Sequence, residues 1–328
     1  MQICVQNLSK TYRVPERQPG MGAALRSLFR PSYRAVEAVR QISFEVGRGE
    51  MVGFIGPNGA GKTTTLKVLS GLLYPTGGDV QVAGFTPWER KPTYLRRISM
   101  VMGNRSQMIW DIPPLDSFRV LGEIYQVPKA EYQETVDELI DLLDMGELLH
   151  KPVRNFSLGE RMKCEMVAGL LYRPEILFLD EPTLGLDISM QRRLRRFLAE
   201  YNRRNAVTTI LTSHYMADVV ELCERVILIH HGELIYDGDL DGLAGRLSPF
   251  KLIKLTLGGQ NGGNGELAFP RGADLIERDG SRVTLRVGRE AAAGITAHLL
   301  DSLPVVDLSI ENPPIEAVID QIYQEGSV

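Results

Sequence analysis

The chain has 328 residues, with 44% hydrophobic and 24% charged side chains and a formal net charge of −4. These are ordinary values for globular proteins, and the length predicts one large domain with a smaller one. The negative charge gives no reason to expect nucleic acid as a partner. Three cysteines without paired spacing exclude a disulfide framework and a zinc site. No apolar run has the length of a membrane span, so at a membrane we expect another chain to cross it.

The first predicted elements are two strands separated by a basic segment. Residues 3–5 alternate as in a strand, and residues 42–46 form the second strand. Between them lies an arginine-rich insertion at about residues 14–36, in which residues 21–29 have the spacing of a short basic amphipathic helix. A solvated loop remains the alternative, because so short a helix is marginal on its own.

A phosphate-binding loop follows a short apolar strand at residues 51–55 and precedes a helical pattern. Its sequence matches G-x-x-x-x-G-K-[ST]. The loop comprises Gly56, Pro57, Asn58, Gly59, Ala60, Gly61, Lys62, Thr63 and Thr64. Glycines let backbone N–H groups approach a polyphosphate, and the helix N-terminus adds partial positive charge. We expect Lys62 to reach the β- and γ-phosphates and the Thr63 hydroxyl to bind magnesium.

An inserted helical region is predicted at about residues 104–172, and strands alternate with helices on either side of it. Strands are expected near residues 79–82, 98–102, 176–179 and 209–212. Their apolar character and the intervening helices predict an α/β fold with a largely parallel sheet covered on both faces.

Two carboxylates end the apolar strand at residues 176–179. Asp180 has the position of a Walker B metal ligand, and we expect it to hold magnesium. Glu181 follows it directly and is predicted to orient and deprotonate the attacking water. A phosphate loop alone leaves GTPases, kinases and many ATPases open, and this second motif narrows that choice.

The C-terminal residues are predicted to form a second domain. Residues 238–249 are rich in Gly and Asp, which marks a boundary. For residues 248–328 we expect a compact α+β accessory domain, in which helices near residues 291–300 and 314–323 cover a small mixed sheet.

Four further motifs make the chain resemble the ABC-type ATPases. Residues 156–160 resemble the family's signature motif, usually written LSGGQ, and residues 184–187 resemble its D-loop. His214 ends a strand as the switch histidine does, and Tyr12 resembles the aromatic residue that stacks on adenine. For residues 1–240 the resemblance implies an ABC nucleotide-binding domain: a mostly parallel core sheet, an antiparallel β subdomain and an inserted helical subdomain. It also implies ATP hydrolysis with Mg²⁺, in which Glu181 and His214 are catalytic.

The signature motif departs from the family pattern at three positions. Phe156, Leu158 and Glu160 stand where leucine, glycine and glutamine are commonest. Ser157 and Gly159 remain, and the resemblance implies that these two contact the γ-phosphate. Activity is therefore expected. The resemblance also implies that Glu160 of the signature motif and Asp187 of the D-loop bind nucleotide.

The Q-loop residue has two candidates. By position Asn104 matches the family's glutamine better, and Gln107 is the alternative. In this family the residue senses magnesium and touches the membrane subunit, so Asn104 joins Thr63 and Asp180 as a predicted metal ligand.

The resemblance also implies partners. Two ATPase subunits, which we expect to be identical, face each other head to tail, and each ATP lies between the phosphate loop of one and the signature motif of the other. Transmembrane permease subunits would place the protein peripherally at the cytoplasmic face of the plasma membrane. Residues 25–30 of the basic insertion, the run at residues 157–163 and the region at residues 310–316 resemble bacterial exporters of drugs, lipids or polysaccharides. A polysaccharide or teichoic-acid exporter is the alternative, and a soluble ABC ATPase acting on ribosomes or nucleic acid is a further one.

Overall fold

The computed structural model describes residues 1–15, 33–103, 105–213, 215–240, 242–243, 248, 250–258, 269–313 and 317–319. The predicted basic helix at residues 21–29, Asn104 and His214 lie outside the described residues, as does most of the predicted helix at residues 314–323. The chain divides into two compact units, Met1–Asp237 and Gly238–Val328. Each unit is described by itself.

The first unit alternates strands and helices along most of its length. Its strands are β1 (Ile3–Pro15), β2 (Tyr33–Val46), β3 (Met51–Ile55), β4 (Gly77–Val82), β5 (Ile98–Met102), β6 (Ile176–Asp180), β7 (Thr208–Thr212), β8 (Arg225–His230) and β9 (Glu233–Asp239). Its helices are α1 (Lys62–Leu69), α2 (Pro92–Leu95), α3 (Pro114–Tyr125), α4 (Lys129–Leu143), α5 (Leu158–Leu170), α6 (Ile188–Asn205) and α7 (Met216–Leu222). Short 3₁₀ helices are found at Pro87–Glu89, Gly146–Leu148 and Val153–Asn155.

A six-stranded sheet forms the centre of this unit, with the strand order β5-β6-β7-β3-β8-β9. Strands β5, β6, β7, β3 and β8 pair in parallel. Every residue of β6 and β7 is buried, as expected for strands covered on both faces. The predicted parallel α/β sheet is therefore confirmed. Because the carboxyl ends of parallel strands lie at one edge, the segments after β3, β6 and β7 meet there.

A second, three-stranded antiparallel sheet has the order β2-β1-β4. Strands β1 and β2 are far longer than the predicted strands, and their pairing runs from Ile3 opposite Val46 to Pro15 opposite Tyr33. The ends of the predicted insertion at residues 14–36 therefore belong to this hairpin. Sequence alternation did not reveal the extension, because its outer residues are exposed on both faces and the ladder contains bulges.

The helical region between β5 and β6 is built around α5, which contacts α3, α4 and β5. Residues 162–170 of α5 are all buried, so the helix is enclosed along most of its length. Gly122 of α3 allows a close approach, since a Cβ atom there would lie 2.8 Å from the Tyr132 ring. Helix α5 thus connects the parallel sheet to the inserted helices.

The second unit contains β10 (Phe250–Leu257), β11 (Ala273–Asp279), β12 (Arg282–Gly288), α8 (Ala292–Ser302) and β13 (Val305–Glu311). Its strand order is β11-β12-β10-β13, and every pairing is antiparallel. The predicted mixed sheet is therefore wrong. The chain crosses from β12 through α8 to the far side of β10, so β12 and β13 share a direction but are never neighbours. Apolar residues of the sheet and α8 form a separate core.

No helix among the residues that the structure describes combines the length and the apolar content needed to cross a membrane.

Candidate functional site

The phosphate loop leaves the carboxyl end of β3 and leads directly into α1. Gly61 is the N-cap of α1 and has φ 110°, a left-handed conformation that favours glycine. A Cβ atom at Gly61 would lie 2.4 Å from the Ala38 carbonyl oxygen, and one at Gly56 would lie 2.1 Å from the Ile229 carbonyl oxygen. Both glycines are thus required by close backbone approach, and the free N–H groups at the start of α1 form an anion-binding helix terminus.

Lys62 lies at the centre of this loop and is only 5% exposed. Its Nζ donates hydrogen bonds to the carbonyl oxygens of Gly56 at 2.6 Å and Pro57 at 3.1 Å. Burial lowers the pKa of the Lys62 ammonium, while the nearby carboxylates of Glu181 and Asp180 oppose that shift. The loop therefore holds a positive charge beside two negative ones, within reach of a bound polyphosphate.

The predicted metal ligands Thr63 and Asp180 are brought together from α1 and β6. Thr63 Oγ1 donates a hydrogen bond to Asp180 Oδ1 at 3.0 Å. Thr212, at the end of β7, donates to the same oxygen at 2.8 Å. Hydroxyl and carboxylate oxygens are the ligands that Mg²⁺ prefers. The part of the chain that the structure describes has no cluster of three or more His, Cys, Asp or Glu side chains suited to a metal. The Thr63 and Asp180 oxygens suit Mg²⁺, which usually keeps waters and substrate phosphates as its other ligands.

Glu181 follows Asp180 at the same edge and has an unusual backbone conformation. Its φ is 54°, a left-handed value that costs a residue other than glycine about 1 kcal/mol or more. Its N–H group lies 3.1 Å from both the carbonyl oxygen and the Oγ1 of Thr212. On the other side, a Cβ atom at Gly103 would lie 2.4 Å from the Glu181 carbonyl oxygen. The ends of β5 and β7 therefore hold this turn in place.

The two Q-loop candidates differ in position. Gly103 donates its N–H to the Asp180 carbonyl oxygen at 2.9 Å, so the chain directly before Asn104 lies against the Walker B strand. The Gln107 amide instead lies 3.5 Å from the Met100 carbonyl oxygen, two residues before the end of β5. The Gln107 side chain therefore lies beside the backbone of β5 at Met100.

The signature motif forms the start of α5. Ser157 is the N-cap: its hydroxyl accepts from the Glu160 N–H at 3.3 Å, while Glu160 Oε2 accepts from the Ser157 N–H at 2.7 Å. This reciprocal pair is a capping box, in which Glu and Gln serve equally at the third helical position. The departure at Glu160 therefore preserves the helix start. A Cβ atom at Gly159 would lie 3.0 Å from the Met190 side chain, which ties the motif to α6.

The D-loop lies beside the signature motif of the same chain. Asp187 is the N-cap of α6, and its Oδ1 accepts from the Met190 N–H at 2.9 Å. A Cβ atom at Gly185 would lie 3.0 Å from the Leu158 side chain. Leu158 is 43% exposed and Ile188 is 69% exposed. Two helix N-termini and exposed apolar side chains thus form one surface.

Tyr12 of β1 lies next to the phosphate loop. Its hydroxyl is 3.5 Å from Thr64 Oγ1, and the Lys10 ammonium is 5.3 Å from the centre of its ring. The ring is half-buried, so a planar group could pack on it beside the loop.

The structure contains a buried polar network around Asp218 that the sequence analysis did not predict. Asp218 is fully buried on α7 and accepts hydrogen bonds from Ser213 Oγ at 2.6 Å and Arg195 Nη1 at 2.8 Å, and also from Thr183. Thr183 follows Glu181 by two residues, and Ser213 directly precedes the predicted catalytic residue 214. Only a carboxylate four residues after that histidine could have signalled the network.

Two family models match the chain. One described as ABC transporter matches residues 39–184, and one described as EvrA-like ABC transporter, C-terminal domain, matches residues 249–311. The chain is 34% identical over 215 residues to the ABC transporter ATP-binding protein NatA of Bacillus subtilis, covering 66% of this chain and 87% of NatA. It is 32% identical over 233 residues to the linearmycin resistance ATP-binding protein LnrL of the same species, covering 70% of this chain and 73% of LnrL.

Solved structures agree with these matches. An ATP-binding subunit of an ABC transporter aligns with a TM-score of 0.62 and 25% identity, covering 75% of this chain and 93% of that chain. The dimeric cassette MJ0796, in a post-hydrolysis state bound to ADP and Pi, aligns with a TM-score of 0.59 and 20% identity, covering 73% and 98%, and shares the fold. Because the identity to NatA extends over most of that protein, the chain belongs to the family of ABC transporter ATP-binding proteins and is an ATP-hydrolysing subunit.

Proposed function

We propose that two copies of the chain bind ATP between them, with the phosphate loop of one copy facing Ser157 and Gly159 of the other. The observation that carries this proposal is the division of the site into two surfaces. Lys62, Thr63 and the two Walker B carboxylates lie at one sheet edge. Ser157 and Asp187 lie at exposed helix starts, with Leu158 and Ile188 uncovered beside them. A second copy of the chain would bring its signature surface to the phosphate loop of the first, and its phosphate loop to the signature surface of the first.

Within this site the residues of the chain have separate tasks. The loop N–H groups and Lys62 bind the phosphates, and Tyr12 packs on adenine. Thr63 and Asp180 would hold Mg²⁺, with Asn104 as a further ligand, and the ion would neutralise phosphate charge. Glu181 takes the proton of the attacking water, which a carboxylate directly beyond a metal ligand is placed to do. His214 orients the γ-phosphate. The position of Gly103 against Asp180 supports Asn104 rather than Gln107 as the Q-loop residue.

The substrate is proposed to be a drug-like or lipid-like molecule exported through separate permease subunits. LnrL is named for linearmycin resistance, and the bacitracin transport protein BcrA of Bacillus licheniformis is 30% identical over 229 residues. These relatives support export at a membrane, where the chain would bind peripherally to the cytoplasmic side of its permease. Copurification of the membrane subunits from the native host tests this assignment. Copurification of a permease of the polysaccharide or teichoic-acid type would mean that the cargo is a polysaccharide or teichoic acid rather than a drug-like or lipid-like molecule. Copurification of ribosomes without a permease would contradict a role in transport.

The variant Glu181→Gln tests the site. We expect ATP binding to be retained and turnover to fall on the order of 10² to 10⁴, because the general base is lost. We also expect an ATP-dependent dimer by light scattering, since the closed state is no longer released by hydrolysis. The control adds Lys62→Ala, which should abolish the ATP-dependent dimer. Unchanged turnover would remove Glu181 from catalysis, and monomers at saturating ATP would contradict the shared site.

A further inference from the structure

Glu165 is a buried carboxylate that the proposed mechanism does not use. It lies on α5, two turns after the signature serine, and is only 3% exposed. Its oxygens accept hydrogen bonds from the segment that follows β5: from Ser106 Oγ at 2.6 Å and from the Gln107 N–H at 3.0 Å to each oxygen. A buried carboxylate is costly unless such donors satisfy it. The contact therefore joins two segments that are 59 residues apart in the chain.

A second contact joins the same two segments. The Arg161 guanidinium lies over the Trp110 ring, 4.6 Å from its centre. Arg161 and Glu165 are four residues apart on α5 and therefore share one face of the helix. One residue holds the start of the segment at Ser106 and the other holds its end at Trp110. Helix α5 thus fixes the segment at both ends.

The fixed segment begins next to the catalytic edge. Gly103 donates its N–H to the Asp180 carbonyl oxygen at 2.9 Å, and Ser106 follows three residues later. At the other end, Ser157 is the N-cap of α5. The contact at Gly103 and the contact at Ser106 are therefore three residues apart in the chain, and α5 leads from Glu165 back to the signature motif. A carboxylate suits this place because hydrogen bonds to an ionised acceptor are shorter and stronger than neutral ones.

We propose that Glu165 is a positioning residue, which fastens residues 106–108 to α5 so that the segment after β5 and the signature serine move as one piece. The inference rests on the proposed function in one respect, since it assigns Ser157 to the nucleotide of a second copy. Glu165 touches neither ATP nor the reacting atoms. Its loss should therefore leave ATP binding by the phosphate loop intact, and should impair only the closure that brings Ser157 into place.

Trp110 provides a direct probe of the fastening. The chain has two tryptophans, so Trp88→Phe leaves Trp110 as the only one. In that background we compare Glu165→Ala, Glu165→Gln and Ser106→Ala with Cys164→Ala, a fully buried neighbour on α5 that serves as the control for lost packing. Measurements are acrylamide quenching of Trp110, ATP affinity, turnover and melting temperature.

For Glu165→Ala we expect stronger quenching of Trp110, unchanged ATP affinity and turnover lower by about 10- to 100-fold, since small misplacements of a site cost factors of this order. Glu165→Gln keeps the shape of the side chain and one acceptor oxygen, so its Trp110 quenching and its turnover should both lie closer to those of the parent protein. Ser106→Ala should give an intermediate loss that does not add to Glu165→Ala, because both remove the same contact. Cys164→Ala should alter the melting temperature without changing quenching.

Two results would overturn the inference. One is quenching and turnover in Glu165→Ala equal to those of the parent. The other is an equal loss of turnover in Cys164→Ala at the same melting temperature, which would reduce Glu165 to a stability role. Quenching of Trp110 is measured on the protein without nucleotide, so this measurement does not depend on the shared ATP site. If the shared ATP site itself is wrong, ATP-dependent dimers are absent from every variant, while quenching still decides whether Glu165 fastens the segment. If Glu165→Ala fails to fold, Glu165→Gln and Ser106→Ala decide it.

Discussion

The sheet edge and the signature surface are both polar, but they satisfy their polar groups in different ways. At the edge, hydroxyl groups from α1 and β7 converge on the buried Asp180, and the buried Lys62 lies near the carboxylates of Asp180 and Glu181. At the signature surface, among the residues that the structure describes, Ser157 and Asp187 are bonded only to the first turns of their own helices. The edge is therefore assembled within one chain, whereas the signature surface offers helix termini and exposed apolar side chains to something outside it.

The largest effect is expected at the network that joins the ends of β6 and β7. Asp218→Asn leaves the buried Arg195 without its inner carboxylate, and removing one partner of a buried ion pair costs about 3 kcal/mol. Chemical denaturation measures this loss of unfolding free energy. The matched control is Glu221→Gln, since Glu221 also pairs with Arg195 but is 52% exposed, and it should cost under about 1 kcal/mol. Equal costs in the two variants would show that the burial of Asp218 does not matter.

Ser157→Ala is expected to have a smaller effect on stability and to separate the two surfaces functionally. Loss of an N-cap costs about 1 kcal/mol, and the control Glu160→Gln preserves the capping box and should cost less. If the signature surface acts only across a dimer, Ser157→Ala weakens the ATP-dependent dimer of the Glu181→Gln protein but leaves ATP affinity of the monomer unchanged. Weaker ATP binding by the monomer would mean that both surfaces act on one nucleotide within one chain.

Sequence patterns predicted which residues lie at the sheet edge, but not the hydrogen bonds that these residues form with one another. Apolar strands, glycines and the order of Lys62, Asp180 and Glu181 are local signals, and they led to the parallel sheet that was found. The bond from Thr212 to Asp180 spans 32 residues, and it depends on β7 lying next to β6. A strand order of this kind is set by long-range packing, which no local pattern records.

The same limit explains the failures elsewhere. The extended β1–β2 hairpin carries exposed residues on both faces, so alternation of polar and apolar residues could not reveal it. The mixed pairing predicted for the C-terminal sheet was wrong, because the crossover through α8 is not predictable from the order of the elements. The contacts of Glu165 could not be predicted, since its partners Ser106 and Gln107 lie in a segment without periodicity.

The smallest predicted effect concerns the pH dependence of stability at Glu165, which lies between the two surfaces. Burial raises the pKa of the Glu165 carboxyl, and the hydrogen bonds from Ser106 and Gln107 oppose the shift. A carboxyl that binds its proton more tightly in the folded state stabilises the fold most below its unfolded pKa. It loses that contribution as the pH rises through the folded value. Relative to Glu165→Gln, which does not titrate, the native protein should therefore gain unfolding free energy as the pH falls from 7 toward about 4.3, the ordinary pKa of glutamate.

The slope of this gain cannot exceed about 1.4 kcal/mol per pH unit, because only one proton is bound. Ser106→Ala removes a donor that favours the ionised form, so in that variant the gain should begin at a higher pH than in the native protein. Denaturation curves collected across this pH range test both expectations. A difference between the native protein and Glu165→Gln that does not vary with pH would mean that burial does not disfavour the charge. The hydrogen bonds from its donors would then stabilise the ionised carboxylate as well as water does. The segment after β5 would be bound to α5 without a net desolvation cost.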